Sequence, residues 1–467
     1  MALSAVLVLS LAFSASQAKE PPISTPISTP LAVAVDKAID TAIAENRIVG
    51  TEVIVALDGK IVYRRAAGLA DREAKTPVQE DTLFRLASVS KAFTSMAVAA
   101  LIEQGKIGLD DPVTKYLPEF TPKTPDGKTP TITIRRLLSH TAGLNYGFFE
   151  KKDGPYHKAG VSDGLDNSGI SLEENLKRIA SAPLLFEPGT GWQYSLAVDV
   201  LGAVVAKANG TTFQEAMRQL VAEPLNMKDV GFVVAEKDRD RLAVPYYNAS
   251  PQPLRMADDQ YIPTSDGRIH CVPPQAFNPD AYPSGGGGLI ATAHDVLLLL
   301  EAIRTGGGPI ADAQIMKEMN TDQLAPGVHC IMPGFGFGLG WAILLDPAAT
   351  KTPQSPGTLT WSGAYGNQWF VDPAKKLSVV ILTNTTFEGM NGKFPDDVRD
   401  AVYANIPKGE DMMNAPKLYT FTGKDIKGDD FPLDERPKTV DVARIRITYD
   451  RQTFYTVEQA QCGSLDE

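Results

Sequence analysis

The stretch SVSKAFTSMAVAALIEQG, residues 88–105, decides how this chain is read. It opens at a serine and closes at Gly105, as a helix does. It is apolar nearly all round, so the helix belongs in the interior. Ser88 and Lys91 stand three residues apart and share one helix face, which lets the amine reach the hydroxyl. A serine hydroxyl is a poor nucleophile by itself, and a lysine kept neutral by burial or by neighbouring cations can serve as its base. The helix amino terminus adds unpaired N–H groups and positive potential, which depress the lysine pKa and favour developing anionic charge. Ser16 and Lys19 repeat the same spacing, so the pattern means little without company.

Working outward, Val35, Ala38, Ile39, Ala42 and Ile43 recur at helical spacing, which predicts an amphipathic helix over 31–47. In TEVIVALDGKIVYRRAAG, Asp58-Gly59 separates two β-branched runs and predicts a hairpin. Residues 107–284 break into short helical pieces between Pro and Gly. The clearer ones are 171–182, where Ser171 and Glu174 have capping-box spacing, and 196–208. Strand text returns at 358–366, 367–373 and 376–384, and 395–406 reads as a last core helix. The fold class is α+β: an antiparallel sheet flanked by helices, formed by residues 31–106 and 285–405, with a mainly helical lobe of 107–284 inserted. The site is expected between the two lobes.

The chain of 467 residues can bury a large core, and 43% hydrophobic with 22% charged residues is ordinary for a globular protein. Asp and Glu exceed Lys and Arg, 56 against 45, for a net charge of −11. There is no basic stripe for nucleic acid. Cys271, Cys330 and Cys462 form no framework; at most Cys271 and Cys330 pair, and the sequence leaves that open. His157, His270, His294 and His329 are scattered without metal-binding spacing, so neither a metal nor a cofactor is expected. Residues 2–13 are apolar and too short for a span of about 20 residues. With Ser16-Gln17-Ala18 behind them they read as a signal peptide, 1–18, cleaved after Ala18. The expected product is secreted or periplasmic, with no stable membrane insertion. Residues 19–30, with PPISTPISTP, read as an extended linker, and 406–467 as an extension in which VDVARIRITYD (440–450) alternates like a strand.

Two later stretches supply the company that Ser88 and Lys91 need. FEPGTGWQYSLAVDVLG (186–202) sets Tyr194 after a Pro-Gly turn, just ahead of a helix, and TWSGAYG places Trp361, Ser362 and Gly363 on a late strand. Together, Ser88-Val89-Ser90-Lys91, Tyr194-Ser195-Leu196 and Trp361-Ser362-Gly363 resemble the penicillin-recognising serine hydrolases, in particular class C β-lactamases and the family VIII carboxylesterases. LLSHTAGL (137–144), SGGGGLIAT (284–292) and GFGFGLGW (334–341) are similar to the family as well. The resemblance covers residues 31–405.

It implies a nucleophile at Ser88, its proton acceptor or orienting partner at Lys91, and a proton-shuttling Tyr194. It further implies an oxyanion hole from the N–H groups of Ser88 and Ala364. Trp361, Ser362, Gly363, Leu196 and Tyr146 would contact substrate. Leu196 stands where the lactamases carry Asn, and Trp361 where they carry Lys or His, so cationic and polar contacts worth about 1.5–3 kcal/mol are missing. The expected substrate is an uncharged small-molecule ester of short-to-medium acyl length, with cephalosporin opening as a side activity. A class C-like β-lactamase or D-amino-acid peptidase is the alternative, and a penicillin-binding sensor without turnover a third. His140 invites a Ser-His-Asp reading, but the chain lacks G-x-S-x-G and the residue is assigned to loop structure. The run Gly285–Gly288 lacks the flanking residues of a phosphate cradle and reads as a loop hugging the cleft. Oligomeric state is not readable from the sequence.

Overall fold

A computed structural model describes residues 29–264, 267–330 and 332–406. The segment read as a signal peptide, most of the stretch read as a linker and residues 407–467, with the strand-like reading at 440–450, lie outside the described residues.

The first helix, α1 (Pro30–Ala44), is capped by Thr29, whose hydroxyl accepts from Ala32 N at 3.1 Å, and has Pro30 at its first position. It leads into the hairpin of β1 (Gly50–Leu57) and β2 (Lys60–Asp71). Asp58 and Gly59, at φ 48° and 79°, supply the left-handed backbone that a tight two-residue turn requires. With β3 (Thr76–Pro77), β4 (Phe335–Phe337), β5 (Ala342–Leu344), β6 (Leu359–Gly363), β7 (Asn367–Asp372) and β8 (Leu377–Thr383) they form one sheet. Its order is β4-β5-β6-β7-β8-β1-β2-β3, antiparallel throughout, so that β1 pairs with β8, the last strand among the described residues, and early and late segments share one sheet. The α+β expectation holds.

The pleat sends alternate residues to two different cores. Val53, Val55, Phe370, Val379 and Ile381 meet α1 and the last helix, which follows β8 in sequence, through Val35, Ile39, Phe394, Val398 and Val402. Ile54, Ala56, Trp369, Val380 and Leu382 face the larger core. There lie α2 (Ser90–Glu103), α3 (Leu172–Ser181), α4 (Ala197–Asn209) and α5 (Ala293–Arg304); the last helix, on the other face, is α6 (Lys393–Asn405). Every residue of α2 from Ser90 to Leu101 is buried, as the all-round apolar pattern predicts. The Ser171 hydroxyl caps α3 by accepting from Glu174 N. Cys271 and Cys330 are both free and buried, which settles the question of their pairing.

Candidate active site

Ser88 lies in the single 3-10 turn Ala87–Val89 that runs directly into α2. Two contacts fix this turn from outside: Leu86 N donates to Leu289 O at 2.9 Å, and Asn367 Nδ2 to Arg85 O at 2.7 Å. Ala87 is held at φ 44°, a conformation L-residues avoid, so the surrounding structure enforces the bend that presents Ser88. One turn beyond Ser88, at the second residue of α2, Lys91 Nζ donates to Ser88 Oγ at 3.3 Å and to Gly286 O at 2.7 Å. The amine is 1% exposed, and burial, outweighing the opposing pull of Asp199, pushes its pKa down to about 7. A lysine in that state can take a proton from a neighbouring hydroxyl near neutral pH.

Tyr194 reaches the same point from the segment ahead of α4. Its ring lies 4.5 Å from Lys91 Nζ, and its hydroxyl faces those of Ser88 and Tyr146 and accepts from Trp361 Nε1 at 3.4 Å. Burial raises its pKa, so the phenol holds its proton. Ser88, Tyr194, Trp361 and Ala364 are each partly exposed, while Lys91 beside them is buried.

The strand β6 closes the other side. A Cβ on Gly363 would lie 2.2 Å from Leu86 O and 3.4 Å from Ser88 N, so only glycine lets the strand pass against the Ser88 turn. That approach brings the start of the Ala364 segment next to the Ser88 amide. Trp361 pairs with Trp369 and stacks at 5.2 Å on Tyr194 and at 5.3 Å, edge-on, against Phe337. Phe148, Phe149 and Trp192 extend this aromatic wall.

Of the predicted contacts, Ser88, Lys91, Tyr194, Trp361, Gly363 and Ala364 come together. Two others differ. Ser362 pairs with Gln368 and, one residue from Trp361, directs its side chain to the opposite face of the sheet. Leu196 is 0% exposed and packs into the large core, because it is the turning residue into α4 and points inward. Tyr146 is 3% exposed and joins the site from its buried side, its ring 5.2 Å from Lys91 Nζ and its hydroxyl against that of Tyr194. His140 holds structure: its Nδ1 accepts from Ser195 N at 3.2 Å, its carbonyl accepts from Gln193 N, and burial keeps the imidazole neutral. The glycine run does hug the site, since a Cβ on Gly286 would sit 3.3 Å from Lys91 Nζ and 3.0 Å from Tyr146 Oη.

Sequence reasoning passed over Asp199, whose Oδ1 accepts from Ser284 Oγ at 2.7 Å and Gly286 N at 2.9 Å. The signal was available: it is the lone acid in the otherwise apolar run LAVDVLGAVVA, and a carboxylate at a core position needs a partner. Asp163 was missed as well. It is partly buried, accepts from Gly147 N and Phe148 N, and so fixes the loop that carries Tyr146 and Phe148. Among the described residues no cluster of His, Cys, Asp or Glu could hold a metal ion, and no helix is long and apolar enough to cross a membrane.

This geometry agrees with what the chain is similar to. Esterase EstB of Burkholderia gladioli is 51% identical over 366 residues, covering 78% of this chain and 93% of the relative. A lovastatin esterase of Penicillium rubens is 27% identical over 373 residues, 72% of this chain and 88% of that one. Among solved structures, EstCE1, described as a hydrolase with promiscuous acyltransferase activity, superposes with a TM-score of 0.78 at 44% identity, over 80% of this chain and 98% of its own. A penicillin-binding protein homologue from Caulobacter crescentus, at 22% identity and a TM-score of 0.62 over 82% of this chain and 99% of its own, shares the fold. The Beta-lactamase family matches residues 35–404. With that match over most of its length and a relative at 51% identity, the chain belongs to the Beta-lactamase family.

Proposed function

We propose that the protein is a serine esterase that hydrolyses short-to-medium acyl carboxylic esters through an acyl-enzyme on Ser88. The observation that carries this reading is the buried, near-neutral Lys91 amine 3.3 Å from the partly exposed Ser88 hydroxyl. Lys91 takes the Ser88 proton as Oγ bonds to the ester carbonyl carbon. The carbonyl oxygen becomes an oxyanion, held by the N–H groups of Ser88 and Ala364; one such donor is worth about 10²- to 10³-fold in rate. As the tetrahedral intermediate collapses, the ester C–O bond breaks and the leaving alkoxide takes the Tyr194 proton, which Lys91 replaces. Water then attacks the acyl carbon, giving its proton back through the same pair and releasing acid and free Ser88.

Specificity for uncharged esters rests on Trp361 and its aromatic neighbours, which offer no cation to a carboxylate-bearing substrate at that point. The relative named an esterase, matched over 93% of its length, supports the same reaction class. The decisive experiment is a panel of p-nitrophenyl butyrate, nitrocefin and a D-Ala-D-Ala peptide on wild type and Ser88→Ala, with mass spectrometry after brief exposure. Ester turnover dependent on Ser88, with a transient acyl adduct there, is expected. Full activity in Ser88→Ala would refute the acyl-enzyme. Faster nitrocefin or peptide turnover would favour the lactamase or peptidase, and a persistent adduct a sensor. Export after cleavage behind Ala18 is part of the proposal, and a mature amino terminus at Lys19 would support it.

A further inference from the structure

Asp199 is 0% exposed on α4, and none of the acyl-transfer steps above uses it. Its position is nonetheless specific. Helix α2 holds the glycine loop by two successive carbonyls, with Thr94 Oγ1 donating to Gly285 O at 2.8 Å and Lys91 Nζ to Gly286 O at 2.7 Å. Helix α4 holds the same loop from the other side, through Asp199 Oδ1 on Ser284 Oγ and Gly286 N. The residue that gives its N–H to the carboxylate therefore gives its carbonyl to the amine. Asp199 Oδ2 is buried with no hydrogen-bond partner, and burial raises the pKa of this carboxyl against the opposing bonds from Gly286 N and Ser284 Oγ and the nearby Lys91. A buried carboxylate in that condition is costly unless an opposite charge faces it.

The other groups facing the carboxylate are Tyr146 and Asp163 from the segment after the His140 loop, Tyr194 ahead of α4, and Tyr282 before the glycine loop. Burial holds the three phenols neutral and lifts the Asp163 carboxyl to about 7. The groups facing Lys91 are Asp199, the Tyr146 and Tyr194 rings, and a neutral His140. Asp199 is thus the carboxylate placed to balance the lysine.

We propose that Asp199 is the positioning residue for Lys91: its carboxylate locks the glycine loop so that the Gly286 carbonyl meets the amine, and it is the acidic side chain that faces that amine from α4. This rests on Lys91 being the base of the proposed esterase. The sign follows from the electrostatics. A nearby anion favours the ammonium form, so it keeps the lysine from falling as far as burial alone would drive it. Replacing the carboxylate by an amide of the same shape must lower the pH at which Lys91 becomes neutral.

The test is kcat/KM for p-nitrophenyl butyrate between roughly pH 5 and 9 for wild type, Asp199→Asn and Thr94→Val. Asp199→Asn is expected to move the acid limb down by about one pH unit. Thr94→Val, which loosens the same loop without removing charge, is expected to lower the plateau and leave the limb in place. An unmoved or upward limb in Asp199→Asn, or an equal shift in Thr94→Val, would overturn the assignment. Should Asp199→Asn fail to fold, 13C-lysine NMR of the wild-type protein asks the same question. The Lys91 signal, identified by its absence in Lys91→Arg, should show a second, more acidic step as Asp199 takes its proton, and a single step would contradict the proposal. Failure of the esterase reading looks different, because there Ser88→Ala keeps its activity; here the enzyme remains Ser88-dependent and only its pH limb fails to move.

Discussion

The two faces of the central sheet are covered by helices of opposite character. On one face, α1 and α6 contribute Val35, Ile39, Phe394, Val398 and Val402, and the contact is apolar packing whose one buried polar side chain, Tyr63, donates its hydroxyl to Asp36 on α1. On the other, α2 is even more deeply buried, yet it carries Ser90, Lys91, Thr94 and Ser95 into the interior along with its aliphatic residues. Apolar faces need only area and shape. Polar groups in the same environment call for partners, and α2 finds three in residues far away in sequence: Gly285 O for Thr94, Gly286 O for Lys91, and Leu289 N for Ser90 Oγ, while Ser95 Oγ has none among the described residues. The first face holds the sheet together, and the second spends part of its packing on placing one amine beside one hydroxyl.

That contrast can be broken at chosen residues. Lys91→Ala should remove the base and reduce kcat on p-nitrophenyl butyrate by about 10²- to 10⁴-fold while circular dichroism shows the fold retained. Gly363→Ala should cost about 10²- to 10³-fold in kcat, because the new methyl meets Leu86 O and drives β6 from the Ser88 turn, pulling an oxyanion donor out of place. A smaller effect is expected from pH alone. Lys91 acts as a base only when neutral, and its pKa lies at about 7, so wild-type kcat/KM should fall about tenfold per pH unit below that point and level off above it. Flat activity down to mildly acidic pH would show that Lys91 is not the titrating group.

On the opposite face the expected outcome reverses. Ile39→Ala should lower unfolding free energy by about 2–5 kcal/mol in urea while kcat per folded molecule stays unchanged, since α1 touches nothing in the cleft. Smallest of all is the response to reductant. Cys271 and Cys330 are free, so dithiothreitol should leave both the melting temperature and the rate where they are.

Much of this organisation is legible in the sequence where the signal is local. Asp58-Gly59 announces its hairpin because few residue pairs accept left-handed backbone together. Ser171 and Glu174 announce the start of α3, and the spacing of Ser88 and Lys91 places them on one helix face. The resemblance adds Tyr194 and Trp361, which no local rule singles out. For Ser362, Leu196 and Tyr146, membership of a motif says nothing of which way a side chain faces. Pleat alternation turns Ser362 away, the entry into α4 turns Leu196 inward, and the loop fixed by Asp163 sets Tyr146 on the buried side of the site.

By itself, then, the sequence determined the β1–β2 hairpin, the capped start of α3 and the placing of Ser88 and Lys91 on one helix face, since these depend on residues within a few positions of each other, and the resemblance added Tyr194 and Trp361. Only the tertiary structure decided the state of Lys91. Its desolvation, its bond to Gly286 and the opposing charge of Asp199 come from segments about a hundred to two hundred residues away. A pKa is set by everything within a few ångströms of a group, and that neighbourhood exists only once the chain has folded.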